Sequence, residues 1–158
     1  MGYTHYIRNN GATKEDALNW IEHTNNLIIQ YNKTADASDM IVSCGEESLK
    51  LSGNIVRVNG YREKGHETLY IPAEPRDFQF CKTARKPYDR VVCASYIIAQ
   101  YLSEGRLIAS SDGDAFPYDY KGTTYEVDTE VLESIAFLKS IYPSYDLDDT
   151  IKKVFSRD

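Results

Sequence analysis

A short basic segment in the middle of the chain is the part of the sequence best suited to hold an anion. Four side chains that could contact a phosphate stand directly before Pro87: Lys82, Thr83, Arg85 and Lys86. Proline is favoured at the first position of a helix, where unpaired backbone N–H groups and the helix dipole attract anions. The segment therefore predicts a phosphate site, with Arg85 binding through two parallel hydrogen bonds. The alternative is a solvated loop whose cations pair with acids such as Asp77 and Asp89.

A second polar segment, Ser110 to Asp114, follows a predicted strand and carries two carboxylates around a glycine. The candidate ligand contacts in it are Ser111, Asp112 and Asp114. The carboxylates could accept hydrogen bonds from ribose hydroxyls or take a metal ion, but the further acids of a calcium loop are absent. We predict no resident metal here, and the alternative is an ordinary turn.

Aromatic residues could supply stacking surfaces beside these polar groups. Tyrosine is unusually frequent, with 13 among 158 residues, and it suits wet pockets because its ring is apolar and its tip polar. Tyr3, Tyr6 or Tyr88 is predicted to stack near a base. Strand alternation places His5 on the same face as Tyr3, where it either contacts a ligand or is a half-buried histidine with satisfied hydrogen bonds. No nucleophile or metal ligand pairs with it at a recognisable spacing.

The elements that must position these residues follow from hydrophobic period and turn signals. The predicted helices are 14–31, 87–103, 129–141 and a short 147–155. The predicted strands are 3–8, 40–44, 48–52, 55–59, 68–71, one at Phe78 and Phe80 that buries one face, and 106–110. Residues 115–127 are a mobile loop or a small hairpin. These elements predict one α+β domain over 1–158, with a mixed or largely antiparallel sheet of four to six strands and helices packed mainly on one face.

Composition excludes several classes of function. The net charge of −6 argues against general nucleic-acid binding, which usually needs a basic surface. Three cysteines without a CxxC spacing indicate a reducing cytosol rather than a disulfide framework or a zinc site. No apolar run approaches the roughly 20 residues of a membrane span. We predict no cofactor and no membrane partner.

Three segments carry a resemblance to known proteins: MGYTHY from Met1, CKTARKPYD from Cys81 and SSDGD from Ser110. In these segments the chain resembles a group of small proteins encoded by tailed bacteriophages. The resemblance implies an accessory protein that acts in the cytoplasm of the bacterial host. By analogy with other small phage proteins, it implies a counter-defence role in which the protein sequesters a nucleotide immune signal.

Three functional hypotheses follow. The first is capture, without catalysis, of a phosphorylated nucleotide-type small molecule. The second is a metal-assisted phosphohydrolase in which Asp112 and Asp114 hold the metal while Lys82 or Arg85 contacts the phosphate. The third is inhibition of a host protein through the aromatic segment 116–120, which could also serve as the contact of a homo-oligomer.

Overall fold

The structure is a computed structural model that describes residues 3–156 and contains, within them, four α-helices and eight strands. The strands are β1 (Thr4–Asn9), β2 (Ile41–Ser43), β3 (Ile55–Gly60), β4 (Leu69–Pro72), β5 (Phe78–Lys82), β6 (Leu107–Ser111), β7 (Tyr118–Tyr120) and β8 (Thr123–Tyr125). The helices are α1 (Lys14–Thr34), α2 (Asp89–Leu102), α3 (Thr129–Ile141) and α4 (Asp148–Val154). The predicted α+β class is confirmed. Met1 and Gly2 of the MGYTHY segment lie outside the described residues.

The strands form two three-stranded antiparallel sheets and one hairpin. The first sheet has the order β5-β1-β6 and the second has the order β2-β3-β4, while β7 pairs with β8. The predicted meander in the middle of the chain is confirmed by the second sheet, and the hairpin at 118–125 confirms one of the two alternatives for that segment. The predicted strand 48–52 is wrong, because this stretch is a loop in which Ser43 donates to the Ser48 and Lys50 carbonyls and its hydroxyl accepts from the Lys50 N–H.

The prediction of a single sheet of four to six strands is also wrong. Strands β4 and β5 approach each other, but side chains rather than a backbone ladder connect them. The Gln79 side-chain amide donates to the Tyr70 carbonyl over 2.7 Å, and the Lys82 backbone N–H donates to a Glu67 carboxylate oxygen over 2.8 Å. The Cys81 thiol also lies on this boundary, 3.6 Å from the Glu67 carbonyl. The two sheets therefore meet through side-chain hydrogen bonds and one backbone bond, from the Glu67 N–H to the Lys82 carbonyl over 3.1 Å.

Helix α2 is the centre of the core. Eleven of its 14 residues are buried, which is typical of a helix surrounded by other elements rather than lying on a surface. It packs against α1, α3 and α4 and covers one face of β1 and β6. Helix α1 presents the predicted apolar stripe, which includes Trp20 and Leu27, and it also packs on β3 and β4. Each sheet therefore has a helix-covered face.

The two phenylalanines of β5 lie on its exposed face, whereas two alternating phenylalanines usually mark the buried face of a strand. The buried face of β5 carries Gln79 and Cys81, whereas Phe78 and Phe80 are 50% and 51% exposed. The cause is register: Cys81 pairs with His5 across the β1–β5 ladder, and residues that pair directly across a ladder point to the same face. Because His5 faces α2, the phenylalanines face outwards.

Helix α1 begins with a capping box in which Thr13 and Asp16 exchange hydrogen bonds, and Asp16 also receives two hydrogen bonds from Arg106. The Arg106 guanidinium holds the pKa of the Asp16 carboxyl below its ordinary value. A carboxyl whose folded pKa is depressed contributes stability above its unfolded pKa of about 3.9 and loses that contribution as the pH falls through the folded pKa.

We therefore expect Asp16→Asn to be less stable than wild type by about 1–2 kcal/mol at pH 7, since charge-assisted hydrogen bonds are stronger than neutral ones. The difference should shrink as the pH falls below about 4. Urea unfolding at several pH values measures it. A difference that stays constant from pH 7 to pH 2 would contradict the assigned role of the Asp16 charge.

Candidate functional site

The three segments singled out in the sequence meet at the side chain of His5. His5 is 1% exposed and lies in β1, the central strand of the first sheet. Its Nε2 is 2.6 Å from Asp89 Oδ1, and its Nδ1 is 2.9 Å from Ser111 Oγ. The Thr83 hydroxyl donates to the same Asp89 oxygen over 2.6 Å. We call these four residues the His5 cluster.

Backbone structure explains why the His5 cluster forms. The ladder places Ser111 of β6 directly opposite His5 on one side of β1. On the other side, a tight turn with positive φ at Ala84 and Arg85 follows β5, and the Lys86 N–H donates to the Thr83 carbonyl over 3.0 Å. Two consecutive positive φ values are characteristic of a type I′ turn. The turn brings the first residue of α2, Asp89, back over the sheet.

The hydrogen-bond partners of His5 favour one arrangement of protons in the cluster. In the tautomer that carries its proton on Nε2, His5 donates to the Asp89 carboxylate over 2.6 Å and keeps a lone pair on Nδ1. The Nδ1 lone pair then accepts from the Ser111 hydroxyl. The Gly113 N–H donates to the same Ser111 Oγ over 2.9 Å, so this oxygen accepts from the backbone while its own proton serves His5 in this tautomer. Serine, histidine and aspartate thus form one directional chain.

Two buried polar atoms beside the cluster have no hydrogen-bond partner within the described residues: Asp89 Oδ2 and the Tyr3 hydroxyl. Tyr3 lies against Gly113, where an added Cβ would collide with the Tyr3 hydroxyl and with Val131. Burial, together with the nearby Asp89 charge, raises the pKa of Tyr3 far above its ordinary value. The phenol therefore stays protonated, and its donor has no acceptor in the described part of the chain where it lies against Gly113, two residues after Ser111.

The basic turn is partly neutralised by acids. Arg85 lies over the Tyr3 ring at 4.0 Å and pairs with Asp128 and Glu130, each at 3.1 Å. These partners differ from Asp77 and Asp89, which the sequence offered. The N–H group of Asp89, in the first turn of α2, already donates to the Lys86 carbonyl. The predicted phosphate site at this turn stays a prediction, with its arginine held by carboxylates.

Lysines 82 and 86 differ from Arg85 in their surroundings. Both side chains are half-buried, and neither forms an ion pair with another residue in the 3–156 range. Tyr88, predicted to stack on a base, is fully buried, and its hydroxyl donates to the Glu67 carbonyl over 2.6 Å. Tyr3 is likewise in the core. Of the three predicted stacking tyrosines, Tyr6 is the one on the surface sheet face.

The acidic segment, Ser110 to Asp114, forms hydrogen bonds with other residues of the protein. One Asp112 oxygen accepts from the Tyr6 hydroxyl and the other from the Thr4 N–H, both over 3.0 Å. The Asp114 N–H donates to the Asp128 carboxylate over 2.7 Å. Across residues 3–156, no group of three or more histidine, cysteine, aspartate or glutamate side chains is arranged to hold a metal ion.

The outer face of the first sheet carries an aromatic cluster that sequence analysis missed. Tyr6 stacks on Phe78 with ring centroids 6.2 Å apart, and Phe80 lies 6.0 Å from Phe78 and 6.5 Å from Tyr6. Arg8 and Lys82 lie on the same face, opposite Phe78 and next to Phe80 respectively. We call these five residues the aromatic face. The alternation in β1 could have predicted part of this face, because it places Tyr6 and Arg8 together on one side of the strand.

Comparison of the chain with protein-family models, with curated proteins and with solved structures found no match. Among the helices of the described part, none has the length and apolar character needed to cross a membrane.

Proposed function

We propose that the protein binds a phosphorylated nucleotide-type small molecule on the aromatic face, without catalysis at that face. The observation that carries the proposal is a contiguous group of three rings, Tyr6, Phe78 and Phe80, on the exposed side of a sheet. A nucleobase stacks on such rings whatever its identity, because every base has a π-face. Half-exposed phenylalanines in contact with each other are typical of a binding surface.

The charges around the rings suit one phosphate group. Lys82 is two residues from Phe80 on the same side of β5, and Arg8 is opposite Phe78. Asp112, held beside Tyr6 by a hydrogen bond, could accept from a ribose hydroxyl at the other end. The chain as a whole is acidic, so a small anion fits this local pair of cations better than a long polyanion does.

The resemblance to phage proteins gives this binding activity a biological setting. A phage protein in the bacterial cytoplasm that holds a nucleotide tightly, without changing it, would remove an immune signal from the host's defence. The predicted homo-oligomer would multiply such sites per particle.

A retention screen tests the proposal. The protein is incubated with a panel of mononucleotides and cyclic di- and trinucleotides, and the native complex and the heat-released ligand are analysed by chromatography. Recovery of an intact nucleotide supports capture. Recovery of an altered nucleotide supports the metal-assisted phosphohydrolase instead. Retention of no nucleotide supports the third hypothesis, a protein partner at 116–120.

Removing one ring of the aromatic face should weaken binding of the retained nucleotide. We expect Phe80→Ala to raise the Kd about five- to hundredfold, because stacking of a base on an aromatic side chain contributes about 1–3 kcal/mol. Calorimetric titration measures it. Leu132→Ala is the matched control, since Leu132 is a similarly exposed apolar residue on α3. Equal Kd values for wild type and Phe80→Ala would place the ligand elsewhere.

The position of the phosphate is tested by a second pair of variants. If the phosphate lies at the aromatic face, Lys82→Ala should raise the Kd about tenfold and Arg85→Ala should change it little, because Arg85 is already paired with two carboxylates. The opposite result, with Arg85→Ala weakening binding ten- to a hundredfold, would assign the phosphate to the basic turn.

A further inference from the structure

We propose that Ser111 is an activated nucleophile, and that Ser111, His5 and Asp89 form a catalytic relay that cleaves small carboxylic esters. The inference rests on the directional chain of hydrogen bonds in the His5 cluster and goes beyond the binding proposed for the aromatic face. The two sites lie on opposite faces of the same sheet, since Tyr6 and His5 are neighbours on one strand.

The relay is defined by geometry and roles rather than by sequence order. The hydroxyl of Ser111 is 2.9 Å from His5 Nδ1, and His5 Nε2 is 2.6 Å from the Asp89 carboxylate. Both distances fall within hydrogen-bond reach for a nucleophile, its base and the group that orients the base. The serine contacts Nδ1 and the aspartate contacts Nε2, and either ring nitrogen can act as base once the other holds the proton.

The three residues of the relay differ in solvent exposure, as their proposed roles require. Asp89 and His5 are sealed from solvent at 3% and 1% exposure, whereas Ser111 is half-buried at the end of the edge strand β6. A sealed carboxylate holds the imidazole in one tautomer and stabilises the imidazolium that forms when it takes a proton. Of the three residues of the relay, Ser111 is the one that a substrate could reach.

A donor for the developing oxyanion also lies nearby. Gly113 N–H donates to Ser111 Oγ, and the Tyr3 hydroxyl lies against the Cα of the same glycine. The Tyr3 hydroxyl is buried and has no partner in the described chain, so its proton is available. An unpaired, preorganised donor costs no reorganisation when negative charge develops on the carbonyl oxygen.

The chemical step balances without any added reactant except water. Ser111 Oγ attacks the carbonyl carbon of the ester while its proton moves to His5 Nδ1. The carbon–oxygen bond to the leaving group breaks, and His5 returns the proton to the departing alkoxide, which leaves as an alcohol. Water then gives a proton to His5 and attacks the acyl group on Ser111. The carboxylic acid is released, and the serine regains its proton from His5.

The charges near Ser111 select the substrate class. Asp112 and Asp114 follow the serine within three residues, whereas the nearby carboxylate of Asp128 is neutralised by Arg85. Carboxylates close to the nucleophile repel an anionic substrate such as a phosphate ester. A small acyl ester without negative charge is therefore the substrate class that fits.

The test is labelling with a fluorophosphonate, which forms a bond from phosphorus to an activated serine oxygen and releases fluoride. Intact mass and peptide mapping identify the site. We expect one adduct, on Ser111, in the wild-type protein. Ser110→Ala is the matched control and should label at the wild-type rate, because Ser110 is an exposed neighbour on the opposite face. Ser111→Ala should carry no adduct at this peptide, and His5→Gln should label at least a hundredfold more slowly.

A second measurement keeps the test independent of how well the variants fold. Wild-type protein should hydrolyse p-nitrophenyl acetate with a burst of one p-nitrophenolate per chain, and prior labelling with the fluorophosphonate should remove the burst. No adduct on Ser111 in folded wild-type protein would overturn the proposal, as would equal labelling of folded His5→Gln. Neither result would bear on nucleotide retention at the aromatic face.

Discussion

Asp89→Ala should lower the free energy of unfolding by about 2–6 kcal/mol, because it leaves two buried donors without an acceptor at about 1–3 kcal/mol each. Asp89 Oδ1 accepts from both His5 and Thr83, which are themselves 1% and 0% exposed. Without the carboxylate, both donors remain buried and unpaired, and each such group carries a desolvation cost. The loss would be a large fraction of the 5–15 kcal/mol typical of a whole domain.

Urea unfolding at pH 7, followed by circular dichroism, measures this loss. Asp148→Ala is the matched control, because Asp148 also begins a helix but is exposed. It should change stability much less. Asp89→Asn should fall between the two, since the amide oxygen keeps an acceptor for the donors while the charge is lost. If Asp89→Ala is as stable as Asp148→Ala, the His5 cluster does not stabilise the fold.

Trp20→Ala should lower the free energy of unfolding by a similar amount, about 3–5 kcal/mol, as expected for removal of a large core aromatic side chain. Trp20 is 3% exposed on α1 and joins that helix to α2. Its ring contacts Tyr96 edge to face at 5.7 Å, and its indole N–H donates to the Ser95 carbonyl and hydroxyl over 3.0 and 2.9 Å. The substitution would leave a cavity and remove the indole hydrogen bonds to Ser95, whose hydroxyl would keep its bond with Thr24.

Two companion variants separate these contributions, again by urea unfolding. Trp20→Phe keeps most of the ring but removes the N–H, so its loss should be smaller than that of Trp20→Ala. Ile29→Ala, on the exposed side of the same helix, should have little effect. A Trp20→Ala protein within 1 kcal/mol of wild type would mean that α1 does not depend on this contact to hold α2.

Strand β1 is the element that connects the two proposed activities. Its alternate residues point to opposite sides of the sheet, so His5 enters the core beneath α2 while Tyr6 and Arg8 face outwards. The strand pairs on both edges, with β5 and with β6, which fixes its register. A change in that register by one residue would exchange the two faces and destroy both sites at once.

Much of the secondary structure was determined by local sequence. The helices at 14–34, 89–102 and 129–141 follow from apolar residues at helical spacing and, for α1, from the Thr13 capping box. The second sheet follows from turn residues between short β-prone runs. Alternation in β1 also placed Tyr3 and His5 together on one face. These features depend on residues only a few positions apart, which is why they can be predicted without a structure.

The tertiary structure decided how those elements meet. Phe78 and Phe80 face solvent because the pairing of Cys81 with His5 turns β5 over, and that pairing joins residues far apart in the chain. The strands divide into two sheets, and side chains such as Gln79 bridge the boundary between them. The facing of β5 and the division into two sheets both depend on partners distant in the sequence, which a local hydrophobic pattern does not identify.

The same reason explains what could be predicted of the candidate site. The sequence marked His5, Thr83 and Ser111 as polar residues in three separate segments, but found no partner for the histidine. Ser111 lies 106 positions from His5, and Asp89 lies 84 positions from it. Contacts over such separations are determined by strand pairing and helix packing rather than by spacing. The residue types were therefore visible in the sequence, and their hydrogen-bonded chain was a consequence of the fold.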